Sequence, residues 1–159
     1  MSFGSLLKPL LALILLAVGA VVVAIAFNRP PLLDSPGILV RVGTYLTTNT
    51  VETSPVSAYP ERKTPVYNRP PGAVLDAALA AVKAQGWEVS KVDREQRYIH
   101  AVASTPVWGF KDDVEIRVSP APGDRSEVYI RSASRIGVGD LGANTRRLVT
   151  LRNEIPERL

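Results

Sequence analysis

The chain has 159 residues, a formal net charge of +4 and a hydrophobic fraction of 46%, a size that suits one ordinary domain or a smaller one with an appendage. It contains no Cys, which excludes disulfides, Cys-ligated zinc, iron–sulfur clusters, thiol catalysis and a lipid-modified N-terminal Cys. Its single His excludes a multi-histidine centre within one chain, so any metal would need mainly oxygen ligands; no metal and no cofactor is expected.

Residues 1–9 read as a short N-terminal tail. Leu10 to Phe27 then runs without a charged or polar side chain, and at about 1.5 Å per residue it spans roughly 27 Å, close to the ~30 Å hydrocarbon core of a bilayer. The run is apolar on every face and lacks the polar stripe of a surface helix. It is expected to be a transmembrane anchor over 10–27 with the lipid bilayer as its partner. Ala24-Ile25-Ala26 has the small-x-small form that signal peptidases cut, but the run exceeds the roughly 7–15 residues of a signal h-region, which favours an uncleaved anchor. Lys8 and the amine on one side balance Arg29 and Arg41 on the other, so flanking charge gives no orientation.

From residue 28 to 71 the chain holds 8 of its 13 prolines, and this stretch reads as a Pro-rich arm. Ile38 to Val42 and Thr64 to Tyr67 are candidate short strands. Elsewhere Pro55, Pro60, Pro65 and Pro70 forbid long helices and central strands, and Thr47 to Thr50 is polar loop chemistry.

Residues 72–159 form the compact part. Val74, Leu75, Ala78, Leu79 and Val82 recur at helical spacing up to Gly86, a natural C′ residue. Trp87–Asp93 and Arg97–Ser104 read as strands. Val114, Ile116 and Val118 alternate with Asp113, Glu115 and Arg117 as a half-buried strand. A hairpin loop over Ser119–Ser126 leads into a fourth strand, Glu127–Ile136. Asp140 caps a last helix carrying Leu141, Leu148, Leu151 and Ile155 and halted by Pro156. The expected fold is α+β: a mostly antiparallel sheet of about four strands with two helices, preceded by the N-terminal transmembrane helix.

Gly137-Val138-Gly139-Asp140-Leu141-Gly142 matches the G-x-G-x-x-G dinucleotide fingerprint, but its context rejects it. Only 17 residues follow Gly142, too few for the returning parallel strand and the ribose-binding acid at its end. Asp140 would also set a negative charge where a pyrophosphate belongs. The glycines instead suit a tight strand-to-helix turn.

Read more widely, Asp112-Asp113-Val114-Glu115 and the string Arg131-Ser132-Ala133-Ser134-Arg135, Gly137, Asp140-Leu141-Gly142, Asn144 and Arg147 resemble the domain-of-unknown-function 1499 family. The resemblance runs from about Pro30 to the C-terminus. Two departures stand out. Family members often carry a Cys pair around an Asn-Cys-Val-Ser stretch, where this chain reads Asn49-Thr50-Val51-Glu52. The family also usually has Ser just before the Asp of its final motif, where this chain has Gly139. The resemblance implies a bacterial or plastid-type origin and frequent export or membrane attachment, and it implies no established activity.

Matching Val118 with Val128 and Ile116 with Ile130 sets Glu115 opposite Arg131 and Asp113 diagonally between Arg131 and Arg135. His100 falls on the same outer face. The candidate ligand-binding set is therefore Asp113, Arg131, Arg135, Asp140, Asn144 and Arg147, suited to an anion or a carboxylate because 14 of the 19 basic residues are Arg, whose forks bind such groups bidentately. An alternative is a small acid–base enzyme using Asp113 and His100. The bland alternative is a wet, charged sheet face with Asp140 and Asn144 bracing the last helix. Nucleic acid is not an expected partner, because the basic residues form no phosphate-tracking stripe. The expectation is a tethered accessory or binding domain, more a binding module than an enzyme. It would sit at the bacterial inner membrane with its soluble part in the periplasm and take a protein or anionic small-molecule partner.

Overall fold

The computed structural model describes residues 3–105 and 109–159. In chain order these form α1 (Phe3–Asn28), α2 (Ile38–Thr47), β1 (Thr50–Glu52), β2 (Val66–Tyr67), α3 (Pro71–Ala84), β3 (Glu88–Asp93), β4 (Tyr98–Ser104), β5 (Lys111–Ala121), β6 (Arg125–Ser134) and α4 (Ala143–Glu154). Single 3-10 turns lie at Pro60–Arg62 and Pro156–Arg158. The class is α+β with an antiparallel sheet, but of six strands rather than about four, and with four helices including the apolar one.

The period-two pattern of β5 and β6 sets the register. Ile116 pairs with Ile130, Val118 with Val128 and Glu115 with Arg131, and β4 adds on the other side with Ile99 opposite Ile116. The sheet order is β1-β6-β5-β4-β3, with β2 also on β6. One face buries Ile99, Ala101, Val114, Ile116, Val128 and Ile130 under α3 (Val74, Ala78, Val82) and α4 (Leu148, Leu151). Each fully buried Val, Leu or Ile contributes about 1.5–3 kcal/mol of transfer free energy, so this face holds the domain together. Both helices lie on that face, which leaves the other open.

The two extra strands come from the arm, and each has a physical reason. β6 would otherwise be an open edge, a row of unpaired backbone groups. β1 covers one end of it, with Val51 opposite Ser132, and β2 covers the other, with Val66 opposite Glu127. Between them Thr53 donates its amide to Ile130 O at 2.9 Å, and its hydroxyl accepts from Ile130 N at 2.9 Å. The polar Thr50 hides a strand start because Val51 alone points into the core.

Three local readings are corrected. Ile38–Val42 is helix, not strand: Arg41 and Tyr45, four residues apart, both turn inward, and tertiary bonds override the local β-branched propensity. The β5–β6 hairpin is tighter than Ser119–Ser126, since Pro120 pairs with Ser126 and Ala121 with Arg125. Pro120 is tolerated there because β4 pairing stops at Arg117, so β5 has one neighbour and needs no amide on its other side. α4 starts at Ala143, with Leu141 outside it at a φ of 52°. Asp140 still serves the helix start, accepting from Gly142 N at 2.8 Å and Asn144 N at 2.9 Å.

α1 begins at Phe3, within the stretch read as a tail, and Met1 and Ser2 lie outside the described residues. Leu7–Asn28, 22 residues whose most apolar 18-residue window has a mean hydropathy of 3.1, is long and apolar enough to cross a membrane. Asn28 Nδ2 donates to Leu141 O at 2.9 Å, which ties the end of α1 to the loop before α4.

That loop explains its glycines. A Cβ at Gly139 would press into the backbone carbonyls of Tyr45 and Leu46, and one at Gly142 would meet Pro30 Cγ at 2.5 Å. Gly139→Ser, the residue the resembled family usually carries, is therefore expected to destabilise this chain by roughly 1–3 kcal/mol through overpacking against rigid backbone. Thermal melting of the full-length variant in detergent reads this out, and an unchanged midpoint would show that α2 yields freely.

Candidate functional site

On the open face, alternation turns Asp113, Glu115 and Arg117 of β5 outward beside His100 of β4 and Arg131 of β6. Arg135, just past β6, is held by its amide on Lys111 O. Its fork closes on Asp113, with Nε to Oδ2 at 2.9 Å and Nη2 to Oδ1 at 2.7 Å. His100 Nε2 meets the same Oδ1 at 2.9 Å, and Arg131 Nη1 donates to Glu115 Oε1 at 2.9 Å. At the far side Tyr129 Oη donates to Glu52 Oε2 at 2.6 Å, and burial, aided by that carboxylate, pushes its phenol up to about 12.

The Arg135 fork, with His100, holds the Asp113 carboxyl down at about 2, below its ordinary 3.8, against a smaller opposing effect of burial. The folded value lies under the unfolded one, so this contact stabilises the fold fully above about pH 4 and is lost as pH falls toward 2. Carbon-detected NMR titration of the Asp113 carboxyl is expected to place its midpoint well below 3.8, and Arg135→Ala to return it toward that value. A midpoint unmoved by that substitution would remove the fork as the cause.

The other members of the candidate set lie on the opposite face. Asp112 turns inward, 2% exposed, and its Oδ2 lies 2.5 Å from Arg147 Nη2, with Arg147 itself 11% exposed. Asn144 is fully buried and connects everything around it. Its Oδ1 accepts from Ser132 Oγ at 2.6 Å and Arg147 Nη1 at 2.9 Å, and its Nδ2 donates to Asn49 O at 2.8 Å and Ser134 Oγ at 2.9 Å. Burial raises the Asp140 carboxyl and lowers the Arg147 guanidinium, although the two charges and Asp112 work against it. The six candidates thus divide: Asp113, Arg131 and Arg135 gather on the open face, whereas Asp140, Asn144 and Arg147 join α4 to β6 and to the residue before β1.

One side chain bonded to this cluster escaped the sequence reading. Ser90 sits where the β3–β4 register slips between Val89 and Lys91, a bulge of the kind that re-aims a side chain. Its Oγ lies 2.9 Å from His100 Nδ1. Because Asp113 as a carboxylate only accepts, His100 Nε2–H donates to it, and Nδ1 shares the bond with the Ser90 hydroxyl. The signal was in the spacing: Trp87, Val89 and Val92 break strict alternation by one residue. A shallow hollow lined by Lys91, Gln96, Tyr98 and Arg117 lies beside this group.

A family model described as "Protein of unknown function (DUF1499)" matches residues 44–155. No curated protein matches the chain. Among solved structures, the crystal structure of TTHA0849 from Thermus thermophilus is similar at 15% identity with a TM-score of 0.42, covering 69% of this chain and 95% of that one. A likeness at that level carries nothing further about this chain.

Proposed function

The chain belongs to the DUF1499 family of proteins of unknown function, and on that premise we propose that it is a membrane-tethered accessory domain whose open sheet face binds an anionic or carboxylate-bearing partner. The observation that carries the proposal is the clustering of Asp113, Glu115, Arg131, Arg135 and His100 on the face left bare by both packed helices. Each Arg is already paired with a carboxylate in the geometry a ligand carboxylate would adopt, so a partner exchanges one anion for another at little desolvation cost. Asp140, Asn144 and Arg147 are assigned to the framework beneath. The tether is 10–27, the domain is 72–159 with the 28–71 arm laid along its edge, and the location is the bacterial inner membrane with the domain in the periplasm.

Two measurements test this. A photo-crosslinking residue at Lys91 on the open face, and another at Asp124 on the hairpin tip, would be activated in native bacterial membranes. An adduct specific to the Lys91 position and lost with Arg131→Ala/Arg135→Ala is expected. Equal capture at both positions, or none, would remove the binding face. An alkaline phosphatase fusion after Leu159 is expected to be active, and an inactive one would reverse the orientation.

A second reading is favoured by the Ser90–His100–Asp113 chain, a nucleophile, base and orienting carboxylate in hydrogen-bond contact. It ranks second because Ser90 is exposed on an open face, where water is not excluded from the reacting group. A fluorophosphonate probe that labels the full-length protein, but not Ser90→Ala or His100→Ala, would put the enzyme first.

A further inference from the structure

We infer that α2, with the turn at Ile136–Val138, lies in the interfacial layer of the same membrane that α1 crosses and so seats the domain flat on the bilayer. This rests on the reading of α1 as a membrane span.

The depth follows from geometry. Lys8 and Arg29 bracket the apolar run, and 18 residues at about 1.5 Å each leave no slack against a ~30 Å core, so the last turns of α1 are needed within the hydrocarbon. Those last turns are where α2 packs: Val42 and Leu32 line a groove with Val21, Val22, Ile25 and Ala26. Val21 lies six residues before Phe27, or roughly 9 Å along the helix axis. A helix docked at that height sits at the level of the headgroup–acyl boundary and not in free solution.

The surface of α2 suits that level. Its one charged side chain, Arg41, is fully buried against the 31–36 loop and Glu61. Ile38, Leu39, Val40 and Leu46 are exposed, Leu39 by 86%. The two threonines turn their hydroxyls back onto the helix, Thr44 Oγ1 to Val40 O and Thr47 Oγ1 to Gly43 O, each at 2.8 Å. Hydroxyls satisfied within the helix need no water. The patch continues past α2, because the loop carrying Ile136 (68% exposed) and Val138 (76% exposed) packs through Gly139 onto the carbonyls at the end of α2. At its margin Arg29 is exposed, and Arg146 donates to Phe27 O at 3.4 Å with its guanidinium 5.9 Å from the Phe27 ring. Cations at that height meet anionic headgroups. An apolar patch continuous with a membrane helix and edged by arginine has the bilayer as its occupant.

The absence of cysteine makes the test clean. Single-cysteine variants of the full chain at Val18, Leu39, Leu46, Val138 and Asp124 would carry an environment-sensitive nitrobenzoxadiazole label in phosphatidylcholine–phosphatidylglycerol vesicles. Lipids with a nitroxide near the headgroup or deep in the chain serve as quenchers. The expected result is at least about twofold quenching at positions 39, 46 and 138 by the shallow nitroxide, deep quenching at 18 and none at 124. Deep quenching at 18 with unquenched labels at 39, 46 and 138 would overturn the seating of α2 and leave the tether intact. That holds whether those labels face water or a second copy of the chain. No deep quenching at 18 would remove the tether, and this inference with it.

Discussion

Replacing Arg147 with Ala is expected to destabilise the full-length protein by about 3–5 kcal/mol, and Asp112→Ala by a similar amount, because each leaves a buried charge without its partner. The contrast on the other face makes the prediction sharp. Arg131→Ala breaks a partly exposed pair, worth about 0–1 kcal/mol in this setting, and Arg135→Ala breaks one that is more exposed still. Asp112 and Asp113 are adjacent in sequence and opposite in consequence. Chemical unfolding followed by tryptophan fluorescence separates the two groups. Near-equal effects across both faces would show that the inward cluster is not the framework it is taken to be. Asn144→Ala belongs with the inward set, since it strands Ser132, Ser134 and the Arg147 guanidinium together. A loss of cellular phenotype with stability intact would then point to the outward set alone.

The second large effect is expected at Arg41. Its Nη1 donates to Pro31 O, Tyr45 Oη and Glu61 Oε1 at 2.9, 3.1 and 2.7 Å, its Nη2 to Ser35 O and Glu61 Oε2 at 2.6 and 2.9 Å, and its Nε to Asp34 O at 3.0 Å. These bonds hold the 31–36 loop and the turn at Glu61 against α2, and they hold the guanidinium charged despite burial. Arg41→Ala is expected to cost about 3–5 kcal/mol, a large part of the net stability of a small domain. Arg41→Lys should rescue little, because three ammonium donors on one atom cannot span a carboxylate and three carbonyls. Glu61→Gln, which keeps shape and one acceptor, should fall between wild type and Arg41→Ala. Unfolding of Arg41→Ala within about 1 kcal/mol of wild type would mean the arm is held by its other contacts, the β1 and β2 pairings among them.

Both predictions turn on side chains whose roles the sequence disguised. Arg41 reads from sequence as one of the charges flanking an anchor, and its partner lies 20 residues away at Glu61. Arg147 reads as a member of an anion site, because motif spacing says nothing about which side of a sheet a helix covers. Ser90 left a trace in the broken alternation of Trp87, Val89 and Val92, but only the bulge shows that the slip turns it toward His100.

What the sequence determined by itself is what short-range periodicity encodes. An unbroken apolar run makes a helix fit to span a bilayer, and period-two alternation sets the β5–β6 register down to Glu115 opposite Arg131. The motif residues identify the family. What only the tertiary structure decided is how those motif residues divide. Successive residues on a strand point to opposite faces, so a contiguous signature is cut in two once α3 and α4 choose one face to cover. That choice depends on long-range packing, as does the folding of a Pro-rich arm onto the open edge of β6. It leaves Asp113, Arg131 and Arg135 on the open face and sets Asp112, Asn144 and Arg147 between the sheet and α4.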